Sequence, residues 1–525
     1  MNDKFDAIVI GAGHNGLVAA ATLAMAGKRV LVVEKRDVIG GAAATEEIFP
    51  GHHVDTGGAD ASLLQEEIIQ RLNLQQHGLQ FHEGPALLFA PQPDGRALTI
   101  WRDDARTATE ITRFSARDAA QWPAFRRQIG RFTGMLRGML LLTPPDLADL
   151  QPNDLMSWGP LALRIRRQGG EDMMELFRVL PMAAQAYLDE WFESDVLKGA
   201  LGGSAVTGTA LGPRSGGTNL MFLYQNLGGL LNHRFVAGGI GRLSESLAAA
   251  AKAHDATIRT GAGVEQILIE NGAAVGVRLE SGEEIRSRVI MSNADPRRTL
   301  FGMVGPQHLE PDVMRSVRNI IYRGTTARLN LVVNGLPAFA GQPDEEQLSG
   351  RIRLSPSLDY LERAYDASKY GRFSEHPYLE IFIPTIRDRS LITGLQAKND
   401  HHILTATMQY APYALREGSW PTAAETLTTT ILDALETIAP GIRRQIIHQC
   451  LTTPLDYECD YYLTEGSIYH GQMGLDQMLV MRPIPEWSRY ETPIRNLYLC
   501  GAGAHPGGGV TGAPGYNAAR ALLHS

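Results

Sequence analysis

The chain has 525 residues, of which 44% are hydrophobic and 20% charged, the composition of an ordinary globular protein long enough for two domains with a substantial core. A net charge of −8, with no aromatic–basic interleaving, excludes nucleic acid as a partner, because phosphate binding needs a basic surface. Three cysteines, Cys450, Cys459 and Cys500, form no CxxC pair, which excludes a disulfide framework and argues against a dithiol redox centre.

The first strand begins within a few residues of Met1, leaving no room for a secretory signal or a transit peptide, so a cytoplasmic setting is expected. Residues 5 to 10 are an apolar run that predicts a buried strand. Gly11-x-Gly13-x-x-Gly16 follows at once. Leu17 to Ala26 is rich in Ala and Leu without a breaker, a helix that Gly27 caps. Arg29 to Val33 is a second strand, and Glu34 ends it. In such a βαβ unit Gly11 allows the tight turn, Gly13 lets the backbone approach a pyrophosphate, and Gly16 lets helix and strand pack closely. The helix N-terminus, with His14 and Asn15 in the turn, offers free N–H groups and a partial positive charge to phosphates. Glu34, eighteen residues after Gly16, stands where a carboxylate accepts hydrogen bonds from a ribose. A second glycine pair, Gly40-Gly41, comes after Lys35 and before Ala42. That arrangement resembles the two-dinucleotide-binding-domain flavoproteins and implies FAD rather than NAD.

Residues 45 to 60 read as a loop in which Asp55-Thr56-Gly57-Gly58 can bring backbone near a cofactor. Helical spacing over 62–72, short strands over 79–101 with a turn at Pro93-Asp94-Gly95, and a mainly helical stretch over 115–200 come next. Within that stretch Arg131 to Leu142 predicts a core or cavity helix; contact with a membrane surface is the less favoured reading, since its basic charge is low. Residues 256 to 291 alternate between strands and turns at Asn271-Gly272 and Ser281-Gly282, a meander in which Val264 begins the strand that can offer backbone groups to an adenine ring. The runs ARLNLVVN, YLEIFIPTI and HHILTATMQY predict an antiparallel sheet, and helices are expected over about 421–438 and 441–449. No stretch of about twenty apolar residues predicts a membrane span.

The C-terminal strand Asn496 to Cys500 opens into GAGAHPGGGVTGAPGYNAAR. Seven glycines between Gly501 and Gly515 serve close approach, and the final helix, from about Gly512, aims its N-terminus at the approaching group. A flavin pyrimidine edge fits, since a helix N-terminus stabilises negative charge there.

These end motifs, with SNADP at 292–296 and GSIYHGQMGLDQMLVMRP, resemble the phytoene-desaturase-like FAD-dependent oxidoreductases, and within them the pyridine nucleotide-disulfide oxidoreductase domain-containing protein 2 group. The resemblance implies an α/β fold. A Rossmann-type FAD-binding domain of the amine-oxidase kind is assembled from residues 1–75, 235–300 and 490–525. A mixed α+β substrate domain with an antiparallel sheet and a helical lobe spans residues 76–234 and 301–489. It implies FAD, expected to be non-covalent because no Cys or His stands out as a tether, held by Gly11, Gly13, Gly16, Glu34, Gly40 and Gly41, with Gly503, Thr511, Gly512 and Ala513 along the flavin. The implied reaction is desaturation or dehydrogenation of a C–C or C–N bond of an apolar or small metabolite, with oxygen, a quinone or another acceptor completing the cycle. Redox-neutral isomerisation of a polyene and a non-catalytic FAD-binding role stay open beside it. His505 in the glycine loop is the foremost candidate for tuning the flavin or moving a proton, because an imidazole titrates near neutrality. His470 and Tyr462 follow, and Arg234 is a candidate for pairing with a substrate carboxylate. His401-His402 has no partners at metal-ligand spacing, so no metal is expected.

Overall fold

A computed structural model describes residues 5–145 and 152–524. Five parallel strands form its first sheet in the order Thr257–Arg259, Val30–Val33, Phe5–Ile10, Glu284–Ser292, Leu497–Leu499. Register places Ile8 between Leu31 and Ile290, and Val9 between Val32 and Met291. The strand Val30–Val33 is buried at every position, as a parallel strand covered on both faces requires. Strands from both chain ends and from the middle therefore share one sheet.

Glu284–Ser292 serves two partners. Its last residues pair in parallel with Leu497–Leu499, while Glu284 to Arg286 join an antiparallel meander with Val264–Glu270 and Ala273–Leu279. Asn271 and Gly272 close the first hairpin of that meander with φ of 51° and 73°, the pair of left-handed residues that a two-residue turn needs. The helix His14–Met25 lies against the parallel sheet, and the C-terminal helix Ala513–His524 packs on it closely enough that a Cβ at Gly515 would overlap the carbonyl oxygen of Asn15.

The second sheet has seven strands in the order Ile446–Thr452, Thr326–Asn334, His401–Gln409, Leu379–Phe382, Arg351–Leu354, Ala86–Pro91, Ala97–Trp101. All neighbours are antiparallel except Arg351–Leu354 and Ala86–Pro91. Its strands alternate. Ala327, Leu329, Leu331, Ala406 and Met408 turn to one side, where Leu427, Ile431 and Leu435 of the helix Trp420–Ile438 cover them. The helix expected over 441–449 is instead a single turn, Ile442–Gln445, followed by the strand Ile446–Thr452 on the edge of this sheet. Pairing with Thr326–Asn334 decides that conformation, and Ile446 and Ile447 are β-branched residues suited to it.

A helical lobe stands beside the second sheet. Its longest helix, Ala116–Leu140, carries the stretch that begins at Arg131, and Phe132, Met135, Leu136 and Leu140 are buried in a core with Phe125, Tyr187 and Phe222. The apolar face of this stretch is thus spent inside the protein. Among the described residues no helix is long and apolar enough to cross a membrane.

Candidate functional site

A cavity of about 610 Å³ lies between the carboxyl ends of the parallel strands and the polar face of the second sheet. Ile10 and Val33, the last residues of two central strands, open onto it. Ligands of open parallel sheets bind in this position, outside the strand carboxyl ends.

The glycine turn forms one wall. Gly11 has φ of +91°, which only glycine adopts without strain, and its N–H donates to the carbonyl of Val33 at 2.8 Å. A Cβ at Gly16 would overlap the Gly11 carbonyl oxygen, so Gly16 is the packing glycine and stands behind the wall. Gly11, Gly13, His14 and Asn15 line the cavity itself. The side chain of Asn293 fills the space among the three glycines: its Nδ2 lies 3.4 Å from the Gly11 oxygen and 2.7 Å from where a Gly13 Cβ would sit. Gly40, Gly41 and Ala42 continue the wall, and so do Gly57 and Gly58.

Glu34 is buried at the end of its strand. One carboxylate oxygen accepts the Ala12 N–H at 2.7 Å and the other the Arg36 N–H at 2.9 Å, so the acid fixes the glycine turn as well as facing the cavity. Beside it Lys35 donates to Glu280 at 2.7 Å, and Val264 lines the same end. Tyr462 is here too. Its ring lies 4.5 Å from the Lys35 ammonium and 5.6 Å from the Arg298 guanidinium. That position sets Tyr462 on the cavity wall against two cationic side chains.

The C-terminal loop closes the other end. Ala502, Gly509 and Val510 line the cavity, whereas Gly503, Thr511, Gly512 and Ala513 stand one layer back. Gly503 abuts Pro296. The Thr511 carbonyl accepts the Gln65 N–H, and Gly512, at φ of +70°, packs on Val18, Leu64 and Ile68. His14 is hydrogen-bonded to the backbone of Gly509 and so ties the fingerprint helix to this loop. Burial pulls its imidazole down to about 4, and Nε2 has no partner.

His505 does not line the cavity. It is fully buried, with Nδ1 3.1 Å from the Leu479 carbonyl oxygen and Nε2 3.3 Å from that of Met139, and burial pulls it down to about 4. Its ring braces the glycine loop against two neighbouring segments, and the catalytic assignment is corrected to a structural one. His470 does line the cavity. Its Nδ1 has no partner, and burial pulls it down to about 4 against the pull of Asp295. Arg482 holds the strap that carries it: this buried guanidinium donates to the carbonyls of Ala502, Gln472 and Gln477 at 2.8, 3.3 and 2.9 Å, and to those of Tyr469 and Gly471. Arg234 lies elsewhere, paired with Glu66 and Glu83 over the Phe81 ring.

The floor of the cavity was not singled out in the sequence. Thr326 and Arg328, Thr407 and Gln409, Glu380 and Phe382 face it as alternate residues of three adjacent strands, with Arg351 on a fourth. Arg351 pairs with Asp60 at 2.9 Å and with Glu380 at 3.3 Å, and Arg353 pairs with Glu380 at 2.9 Å. Although burial works against it, the two arginines hold the Glu380 carboxyl below its usual range. Burial pushes Asp60 up against the pull of Arg351. The signal was present: RIRL places charges at every second residue and YLEIF sets one charge among apolar neighbours, which marks a strand face turned to something polar.

A pocket made by a glycine turn, a buried strand-end acid and a second glycine loop, floored by the second sheet, defines a flavin-dependent oxidoreductase of the Rossmann type. Residues 16–328 match the family described as flavin containing amine oxidoreductase, and the chain belongs to it. It is 35% identical over 552 residues to pyridine nucleotide-disulfide oxidoreductase domain-containing protein 2 of Rattus norvegicus, across 100% of this chain and 94% of the relative. It is 24% identical over 544 residues to phytoene desaturase (neurosporene-forming) of Cereibacter sphaeroides, across 98% of this chain and 93% of the relative. Among solved structures, an oxidoreductase from Methanosarcina mazei superposes with a TM-score of 0.62 at 16% identity over 99% of this chain and 100% of its own, a likeness of fold. The cofactor fits the residues present: a Cβ at Gly13 would meet Asn293, and the cavity-lining His14 keeps an unpartnered ring nitrogen beside the helix N-terminus.

Proposed function

We propose that this chain is an FAD-dependent dehydrogenase that oxidises a C–C or C–N bond of a small polar metabolite. The observation that carries the substrate side of this reading is the floor: six of the seven strand residues facing the cavity there are polar or charged. A site for a polyene would place apolar side chains at those positions, because leaving buried charges against hydrocarbon is expensive. The cofactor would be held by the discontinuous unit of residues 1–75, 235–300 and 490–525, and the substrate by residues 76–234 and 301–489.

FAD, when bound, supplies the hydride acceptor at its N5. The chain's own groups do the rest. The Gly11 to Gly16 turn and the N-terminus of His14–Met25 take the pyrophosphate, and Glu34 takes the adenosine ribose. The paired arginines and acids of the floor orient the substrate without adding net charge. His470, which lines the cavity and whose Nδ1 has no partner, is the candidate group to take the proton that leaves the substrate.

The test is the absorbance spectrum of the purified protein followed by anaerobic addition of candidate metabolites. Flavin bands that bleach with a polar compound are expected. A colourless protein that FAD cannot reconstitute would overturn the cofactor reading, and bleaching by hydrocarbons alone would overturn the substrate class. Denaturation should release the cofactor into the supernatant.

A further inference from the structure

The charges of the cavity floor are balanced at every position but one. Asp60, Arg351, Glu380 and Arg353 form a chain of two anions and two cations. Arg353 also donates to the Ala200 carbonyl at 2.9 Å and the Ser204 hydroxyl at 3.1 Å. That group is complete without a ligand.

Arg328 stands outside it. The residue is 6% exposed and lines the cavity from the strand Thr326–Asn334, opposite Thr407. Its Nη1 donates to the carbonyl oxygen of Asp55 at 2.8 Å, and its Nε has no partner. Among the described residues no carboxylate lies within 4.0 Å of its guanidinium. The Asp55 carboxyl accepts through Oδ1 from the Thr45 hydroxyl at 2.6 Å and the Ile240 N–H at 2.9 Å, and feels the Arg328 charge without forming an ion pair with it. Tyr457, 1% exposed and also on the cavity wall, lies beside the Arg328 side chain.

A guanidinium buried without an anion is costly, and it cannot shed its proton to escape the cost. Its planar fork matches a carboxylate, with two parallel N–H donors for two oxygens, and an adjacent phenol adds a third donor. In the FAD reading the dinucleotide's phosphates belong to the glycine turn and the helix N-terminus, not to this strand. We propose that Arg328, assisted by the Tyr457 hydroxyl, anchors the carboxylate of the substrate, so that this enzyme acts on a small carboxylic acid. The proposal rests on the FAD-dehydrogenase reading given above and names the substrate class that reading leaves general.

The experiment titrates the FAD-loaded protein with butyrate and benzoate, and with butyramide and benzamide as neutral counterparts, reading the perturbation of the flavin spectrum. The acids should give a saturable change and the amides at least tenfold weaker binding. Arg328→Met should weaken the acids at least tenfold and leave the amides and FAD retention unchanged. Arg328→Lys should keep the charge and fold while losing the bidentate geometry, giving an intermediate loss, and Tyr457→Phe a smaller one. Acids that bind no better than amides, or equally well to Arg328→Met, overturn the proposal. Loss of FAD from the Met and Lys variants also overturns it, because Arg328 would then serve the cofactor's phosphate. If the Met variant does not fold, the acid–amide comparison in the unaltered protein and the Lys variant decide. A protein that takes up no FAD at all refutes the cofactor reading instead.

Discussion

Replacing Gly16 by alanine tests whether the glycine turn is a packing device as well as a phosphate cradle. The added Cβ would overlap the backbone carbonyl oxygen of Gly11 and lie 3.1 Å from Asn293 Nδ2. Alanine gains about 1 kcal/mol over glycine inside a helix, whereas overpacking a rigid contact costs about 1–3 kcal/mol or more. Here the obstacle is backbone of the adjoining strand rather than a side chain that can turn away. The upper end of that range applies, and a net destabilisation of about 2 kcal/mol is expected in the apo-protein. Gly13→Ala is the control. Gly13 has φ of −67°, an ordinary value, and its Cβ would meet the movable Asn293 amide at 2.7 Å. That variant should fold with nearly native stability and lose FAD affinity at least tenfold, about 1.4 kcal/mol, by crowding the cradle. Chemical denaturation of both apo-variants and fluorescence titration with FAD separate the two effects. Native stability in Gly16→Ala, or native FAD affinity in Gly13→Ala, would refute the reasoning.

Glu34→Gln keeps the shape but turns an NH₂ toward one of two backbone donors, so apo-stability should fall by about 1.5–3 kcal/mol, measured by denaturant midpoint, and FAD retention should fall with it. Unchanged values would mean that the carboxylate does not hold the turn. Arg351→Met leaves Asp60 and Glu380 facing the cavity with one cation fewer, and a loss of about 3–5 kcal/mol is expected on the same measurement. A loss under about 1 kcal/mol would show the pair to be solvent-screened. His14 supplies a pH dependence. Its native value of about 4 lies below the ordinary 6.5, so the native state binds fewer protons than the unfolded one between these values. The stability it contributes is complete above pH 6.5 and is lost as pH falls toward 4, up to about 3 kcal/mol. Wild-type apo-protein should lose that much relative to His14→Gln over this window; parallel stability curves would dismiss the assignment.

The first βαβ unit was legible in the sequence because its determinants are local. Gly11 must adopt a positive φ, Gly16 must admit a neighbouring carbonyl, and Glu34 must end its strand; each is a property of residue type at fixed spacing. The antiparallel runs were legible for the same reason, since alternation is a local pattern, and so was the class of cofactor. Tertiary structure alone decided the rest. The segment 441–449 carried an ambiguous pattern, and only the free edge of Thr326–Asn334 made its second half a strand. The sequence favours His505 over His470, yet carbonyls of Met139 and Leu479 enclose the His505 ring while His470, on the strap held by Arg482, lines the cavity. Tyr462 meets Lys35, more than four hundred residues earlier in the chain, only through the tertiary fold. The polar floor depends on four strands aligning their alternate faces, so that Arg328, Arg351, Glu380 and Gln409 share one surface. Sequence specifies which residues alternate; which face meets the cavity is set by what the opposite face must bury, here the apolar side of the helix Trp420–Ile438.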